Sequence, residues 1–339
     1  GGSGGGGGCR DGGARGGGGG TRRMAGGGRR AGSPATRAAA EERGGAGARP
    51  RVTAGDWSSG ARRRTLPLAI APVVAGSGIA HLVRDFSWPL ALLALGVAVF
   101  LQIGVNYAND YSDGIRGTDA YRVGPARLTG SGLVNPKRVL AVALAFFALA
   151  AVCGLVAVVL SERWWFLALG VVAILAAWFY TGGKRPYGYA GLGEVMVFIF
   201  FGLVATVGTT WLQTDIQTRK VWFAGTGVGL FAVAVLIANN VRDIETDKLA
   251  GKRTLAVILG DRASRILYVV CVLLPFAVPA LYGLVYPGMV LVWLVLFAVI
   301  PCCLIVLLAK TAKELIGALA LTSLASLAYA ALIGAAFAF

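Results

Sequence analysis

Nine stretches of this 339-residue chain are long and apolar enough to cross a lipid bilayer, and they constrain its fold more than any other feature. They run over about 65–83, 87–109, 138–160, 163–180, 190–212, 221–241, 264–284, 287–309 and 316–338. Each is near the ~20 residues that span a hydrocarbon core. Lipid offers no partner to a backbone N–H or C=O, so such runs fold as helices, which satisfy their own backbone groups. The expected fold is all-α: a polytopic membrane protein of about nine transmembrane helices. Charged residues are 14% of the chain, against about a quarter in a soluble domain. Trp164 and Trp165 open the fourth, short run, where tryptophan favours the membrane interface.

The net charge of +16 is unevenly spread. Thirteen of the 32 basic residues precede residue 65, and the 19 that follow nearly balance 12 acidic residues. The basic pI is in large part a property of the amino-terminal segment and does not point to nucleic acid. Residues 1–55 are rich in Gly, Arg and Ala without hydrophobic periodicity. They are expected to stay unfolded, leaving 56–339 as the transmembrane domain. The first methionine is Met24, which suggests an over-extended start; deleting residues 1–50 should leave insertion and activity intact. Of the five cysteines, Cys153, Cys271, Cys302 and Cys303 lie in apolar runs without metal-ligand spacing, and read as small hydrophobes. Basic residues also set orientation. With the amino terminus inside, the inside loops carry 15 Lys and Arg and the outside loops four, so the protein is expected in the cell membrane with its amino terminus cytoplasmic.

Seven of those 12 acidic residues fall in two inside segments or, for Asp261, soon after the second. The first, 106–119, reads NYANDYSDGIRGTD; the second, 239–254, reads NNVRDIETDKLAGKRT. Asn106, Asp110 and Asp113 are spaced i, i+4, i+7; Asn239, Asp243 and Asp247 are spaced i, i+4, i+8. On a helix either set lines one face. Clustered carboxylates repel, and more so at a membrane surface. A divalent cation removes that cost, and hard oxygen ligands favour Mg²⁺ or Ca²⁺. Arg127, Arg242, Lys252 and Arg253, interleaved with the acids, suit a phosphate-bearing ligand better than a bare ion. Glu245 falls off the acidic face and reads as solvated, and Asp261 as a helix cap.

A third inside loop, 180–189, reads YTGGKRPYGY. Lys184 is placed to neutralise a leaving diphosphate, and Tyr180 to bond a phosphate oxygen or face a developing cation. Glu194 lies just inside the fifth run, as a functional candidate or as a partner of Lys184 or Arg185. His81 is the only histidine and lies on the outside, which excludes a histidine mechanism on the acidic side.

These residues resemble the UbiA-type intramembrane prenyltransferases over about 57–339. Asn106, Asp110 and Asp113 are similar to that family's first Asp-rich motif, Asp243 and Asp247 to its second, and Tyr180 with Lys184 to its Tyr-x-x-x-Lys element. The family often has another Asp four residues after Asp113; here that position is Gly117, and the next acid is Asp119. Residues 63–76, 117–134 and 239–260 look most like the branch acting on 1,4-dihydroxy-2-naphthoate. The resemblance implies helices around a central cavity and Mg²⁺ held by Asp110, Asp113, Asp243 and Asp247. It implies polyprenyl diphosphate bound with help from Arg127, Arg242, Lys252 and Arg253, and catalysis assisted by Lys184, Tyr180, Asn106 and Asn239. The implied product is demethylmenaquinone. Other aromatic acceptors such as 4-hydroxybenzoate are the main competing reading, and oligomeric state is left open. A cation transporter fits less well, because its ionisable groups would lie near the bilayer midplane. A CDP-alcohol phosphotransferase has one Asp-rich signature, not two distant ones.

Overall fold

The computed structural model describes residues 52–118, 127–216 and 218–339, and these are helical with no strand among them. Helix α1 (Ala54–Gly60) is short and starts with a capping box, the Thr53 hydroxyl and Asp56 carboxylate satisfying each other's backbone N–H groups. After it come α2 (Pro67–Leu82), α3 (Trp88–Ile115), α4 (Pro136–Ser161), α5 (Phe166–Phe179) and α6 (Gly193–Gln213). Helix α7 (Arg219–Arg242) is followed by two short helices, α8 (Ile244–Leu249) and α9 (Leu255–Leu259). The bundle ends with α10 (Asp261–Tyr282), α11 (Pro287–Leu308) and α12 (Ala312–Ala338). Among the described residues seven helices are long and apolar enough to cross a membrane, or eight when α2 is joined to the segment Ala54–Thr65, from which it bends by 47°. The fourth expected span, α5, has 14 residues, so the count of about nine rests on including it.

Local chemistry explains the boundaries. Pro136 opens α4 behind Asn135, whose side chain caps the N–H of Lys137. Thr218 caps α7 through the N–H of Lys220. Helix α7 is the most buried long helix and carries the core: Val228, Phe231, Ala234 and Ile237 pack with Ala75 and Ile79 of α2 and Tyr329 and Ile333 of α12. Small residues let backbones approach, as membrane helices require in place of a hydrophobic drive. A Cβ on Gly202 of α6 would lie 2.6 Å from the Cα of Gly229 on α7, and one on Gly78 of α2 would lie 2.5 Å from the Cα of Gly334 on α12. On the outside, Leu155, Val159, Val171, Leu291, Phe297 and Leu304 are exposed, a surface suited to lipid. Within α6, residues Phe198–Val204 form a π-helical turn, a feature found mostly at functional sites.

Candidate active site

A cavity of about 680 Å³ runs between α2, α3, α4, α5, α6 and α7. Most of its wall is apolar, with Val97 and Leu101 of α3, Ile174 of α5, Phe200 and Phe201 of the π turn, and Leu236 of α7. One end is polar: Asn106 and Asp110 of α3, Arg127, Tyr180, and Asn239 and Arg242 of α7 all reach the wall. The two acidic segments therefore meet at one end of one cavity.

The first acidic segment is not a loop. Helix α3 continues through it to Ile115, which puts Asn106, Asp110 and Asp113 on a single helix as their spacing predicts. Asp110 accepts backbone N–H bonds from Leu128 and Thr129, at 2.9 and 2.8 Å, and so holds the chain that presents Arg127. Asn106 donates to the carbonyl of Ala61 at 2.9 Å. Asp113 is 2% exposed, and its two oxygens are divided: Oδ1 accepts from the phenol of Tyr189, while Oδ2 lies 3.4 Å from Arg127 and 3.3 Å from Lys252.

The second segment differs from the single helix that its spacing predicts. Helix α7 ends at Arg242, Asp243 makes the joint (φ −102°, ψ 7°), and α8 starts at Ile244. Backbone bonds from Asp243 N to Asn239 O and from Asp247 N to Asp243 O keep the turns in register. Arg242 grips Asp243 with Nε at 2.7 Å and Nη2 at 2.5 Å, and also donates to Asn239 Oδ1 at 2.8 Å. Such bidentate pairing fixes a carboxylate tightly. Asp247 is buried, and its carbonyl accepts the N–H of Lys252.

Of the twelve candidate catalytic, metal and diphosphate residues, six line this end of the cavity, and Asp113, Asp243, Lys252 and Asp247 are tied to them or to one another by the contacts above. Lys184 is exposed on its loop, away from the cavity wall, and no bond of its side chain is seen among the described residues. Arg253 is also exposed, though its N–H donates to the carbonyl of Tyr189. Glu194 pairs with Asn240, at 2.8 Å, rather than with Lys184 or Arg185. Glu245 is exposed and pairs with Lys248 as expected, whereas Asp261 is the first residue of α10 and pairs with Arg265 instead of capping it. Asp119 lies outside the described residues.

The donor set is one of oxygens, with four buried carboxylates in two pairs. Among the described residues no three Asp, Glu, His or Cys side chains form a closed metal cage. That combination fits a hard divalent ion which keeps waters and shares its shell with phosphate oxygens, more than one held by protein alone. The neighbouring arginines and lysine match the phosphate part of such a ligand.

The sequence model of the UbiA prenyltransferase family matches residues 69–316. The chain belongs to this family. Among curated relatives of this UbiA-family protein is the 1,4-dihydroxy-2-naphthoate octaprenyltransferase of Mycobacterium tuberculosis, 56% identical over 215 residues that cover 62% of this chain and 72% of that one. The fold is shared with solved UbiA homologues. The apo structure from Aeropyrum pernix K1 aligns with a TM-score of 0.61 at 17% identity, covering 79% of this chain and 96% of its own. The homologue from Archaeoglobus fulgidus, solved bound to GPP and Mg²⁺, aligns with a TM-score of 0.58 at 16% identity, covering 82% and 99%.

In this UbiA-family site, several residues escaped the sequence reading. Tyr189 closes a joint: besides bonding Asp113, its ring lies 4.7 Å from Lys252 Nζ and 5.4 Å from the guanidinium carbon of Arg116. Burial and the Asp113 charge push its phenol above the usual range, so it is a neutral donor. Arg116 donates to the carbonyls of Thr181 and Gly183, and the Thr181 hydroxyl donates to Asn109 at 2.7 Å. Arg62, Arg63 and Arg64, which read as the end of a basic tail, belong to the cavity wall. Arg62 adopts a left-handed backbone (φ 53°), uncommon for an arginine. An aromatic residue inside a basic loop was the available signal for Tyr189. For Arg62 it was the nearness of three arginines to the first span.

Proposed function

We propose that this chain transfers a polyprenyl group from polyprenyl diphosphate to 1,4-dihydroxy-2-naphthoate, releasing diphosphate and CO₂ and giving the quinol form of demethylmenaquinone, in a Mg²⁺-dependent reaction. The observation that carries this reading is the meeting of both Asn–Asp segments at the polar end of one apolar cavity. Similarity to the M. tuberculosis octaprenyltransferase supports the acceptor and the long donor. The GPP- and Mg²⁺-bound structure of a homologue supports the metal and the diphosphate.

Asp110, Asp113, Asp243 and Asp247 would hold the metal, with Asn106 and Asn239 orienting carboxylate and phosphate oxygens. Mg²⁺, when bound there, supplies Lewis-acid stabilisation of the departing diphosphate. Arg127, Arg242 and Lys252 supply fixed positive charge at the same end. Lys184 and Arg253, exposed on the loops beside it, add charge at the mouth. The allylic C–O bond breaks with its electron pair going to diphosphate, and the ring of Tyr180 faces the cation-like carbon. The apolar wall keeps water from that carbon. The ring carbon that bears the carboxylate forms the new C–C bond, and the C–CO₂ bond then breaks, returning its electrons to the ring. The distribution of basic residues supports a cell-membrane protein with a cytoplasmic amino terminus and this polar end on the cytoplasmic side.

The test is a membrane assay with labelled octaprenyl diphosphate, offering 1,4-dihydroxy-2-naphthoate and 4-hydroxybenzoate separately, with and without Mg²⁺. Product is expected with the naphthoate only, and only with the metal. Equal or better transfer to 4-hydroxybenzoate would overturn the acceptor, and transfer in EDTA would overturn the metal.

A further inference from the structure

Two tyrosines of the 180–189 loop are set up in contrasting ways. The Tyr187 phenol donates to the carbonyl of Ala176 at 2.7 Å, a bond within its own helical hairpin. Tyr189, two residues on, reaches out of the loop. Its phenol meets Asp113 on α3, its ring faces Lys252, and its carbonyl accepts the N–H of Arg253 at 3.0 Å. Lys252 in turn bonds backbone to backbone with Asp247 and faces Asp113 Oδ2. One side chain thus touches both acidic segments, and it lies outside the Tyr180–Lys184 element.

We infer that Tyr189 is a positioning residue for the metal–diphosphate site: it holds Oδ1 of Asp113 and anchors residues 252–253 of the second segment, and so sets how the two acidic segments face each other. The inference rests on the proposed metal-dependent function. Its physical basis is that the Tyr189 phenol pins Oδ1 while Arg127 and Lys252 face Oδ2, so the carboxylate keeps one rotamer. Asp113 would otherwise turn between Arg127 and Lys252, and the entropy of fixing it would fall on the binding step. Partners that orient metal ligands in this way typically change affinity or activity by 10–100-fold when removed. Removing only the hydroxyl keeps the ring and its cation contacts, so the effect isolates the bond to Asp113.

The experiment is Mn²⁺ binding to the purified full chain in detergent, read by electron paramagnetic resonance with inorganic diphosphate present. Tyr189→Phe is expected to weaken Mn²⁺ binding about tenfold or more, while Tyr187→Phe changes it less than about twofold, as its bond is confined to the hairpin. In an Asp113→Asn background, Tyr189→Phe is expected to add little, since the two residues act through one contact. Unchanged Mn²⁺ affinity in Tyr189→Phe, or an equal loss in both backgrounds, overturns the inference. If Tyr189→Phe does not fold, Tyr189→His, which keeps a ring and an N–H donor, takes its place; it should bind Mn²⁺ more tightly than Tyr189→Leu, and equal affinity overturns the inference. Failure of the function itself is seen separately, as a wild-type protein that binds no Mn²⁺ with diphosphate and makes no product.

Discussion

The ammonium of Lys252 lies 3.3 Å from Oδ2 of Asp113, joining the second acidic segment to the first, far from it in sequence. Both groups are nearly buried, with side-chain exposures of 11% and 3%, and Arg127 shares the same oxygen at 3.4 Å. A buried carboxylate and the cations that flank it compensate one another only while each partner is present. Removing one partner of a buried pair typically costs about 3–5 kcal/mol, because the rest is left uncompensated. Asp113→Asn is therefore expected to lower the unfolding midpoint as well as abolish transfer. Paired with Lys252→Met, part of the stability should return but none of the activity. Thermal unfolding and the membrane assay on the single and the double variant check this.

Asp110 has a different structural burden. It receives two backbone N–H groups, from Leu128 and Thr129, and hydrogen bonds to a charged acceptor are worth about 1.5–3 kcal/mol each. Asp110→Ala is expected to lose at least about a hundredfold in transfer and to release the segment after Arg127. Hydrogen exchange at Leu128 and Thr129 should then quicken markedly, while exchange in α7 stays as it was.

The cations at the site should not be equivalent. Arg242 is held bidentately on Asp243 and reaches the cavity wall, whereas Lys184 is exposed. Arg242→Met is expected to reduce kcat/KM for polyprenyl diphosphate by about a hundredfold or more, in line with loss of a preorganised charge. Lys184→Ala should reduce it by less than about tenfold, as a screened surface charge does. A larger effect at Lys184 would mean that its loop folds inward on binding substrate.

The apolar end of the cavity offers a test of donor length. Gly170 of α5 lies in the cavity wall, and a Cβ there would meet nothing within 4 Å. Gly170→Trp is thus expected to fold and to fill space. Transfer from octaprenyl diphosphate should fall about tenfold or more relative to transfer from geranyl diphosphate, measured as a ratio of kcat/KM values. Gly202→Leu is the opposite case. Its side chain would run into the backbone of Gly225 and Gly229 on α7, and overpacking of this kind costs about 1–3 kcal/mol or more. Reduced yield of folded protein in detergent is expected whatever the donor.

Much of this arrangement was legible in the residues because two of the governing rules are local. The demand that backbone groups be satisfied in lipid turns apolar runs into helices; the run at 138–160 falls within α4, and that at 287–309 matches α11 to within one residue. The spacing of Asn106, Asp110 and Asp113 is helical whether or not the segment was thought a loop. What escaped is what depends on distant pairing. Nothing near Tyr189 says that its phenol will meet Asp113, and nothing near Glu194 prefers Asn240 over Lys184. Burial was not legible either: polar as 106–113 is, Asp110 and Asp113 are each 2% exposed, because bonds from backbone and cations replace water.

Helix α5 has 14 residues and no buried one, and it forms one wall of the cavity. Fourteen residues extend about 21 Å, well short of the ~30 Å of a hydrocarbon core. Lipid beside α5 must thin, or head groups must sink to meet its ends. The acyl-chain length of the host bilayer thereby becomes a variable of the reaction chamber itself, and the same protein reconstituted into thicker membranes should work at a different rate with every residue unchanged.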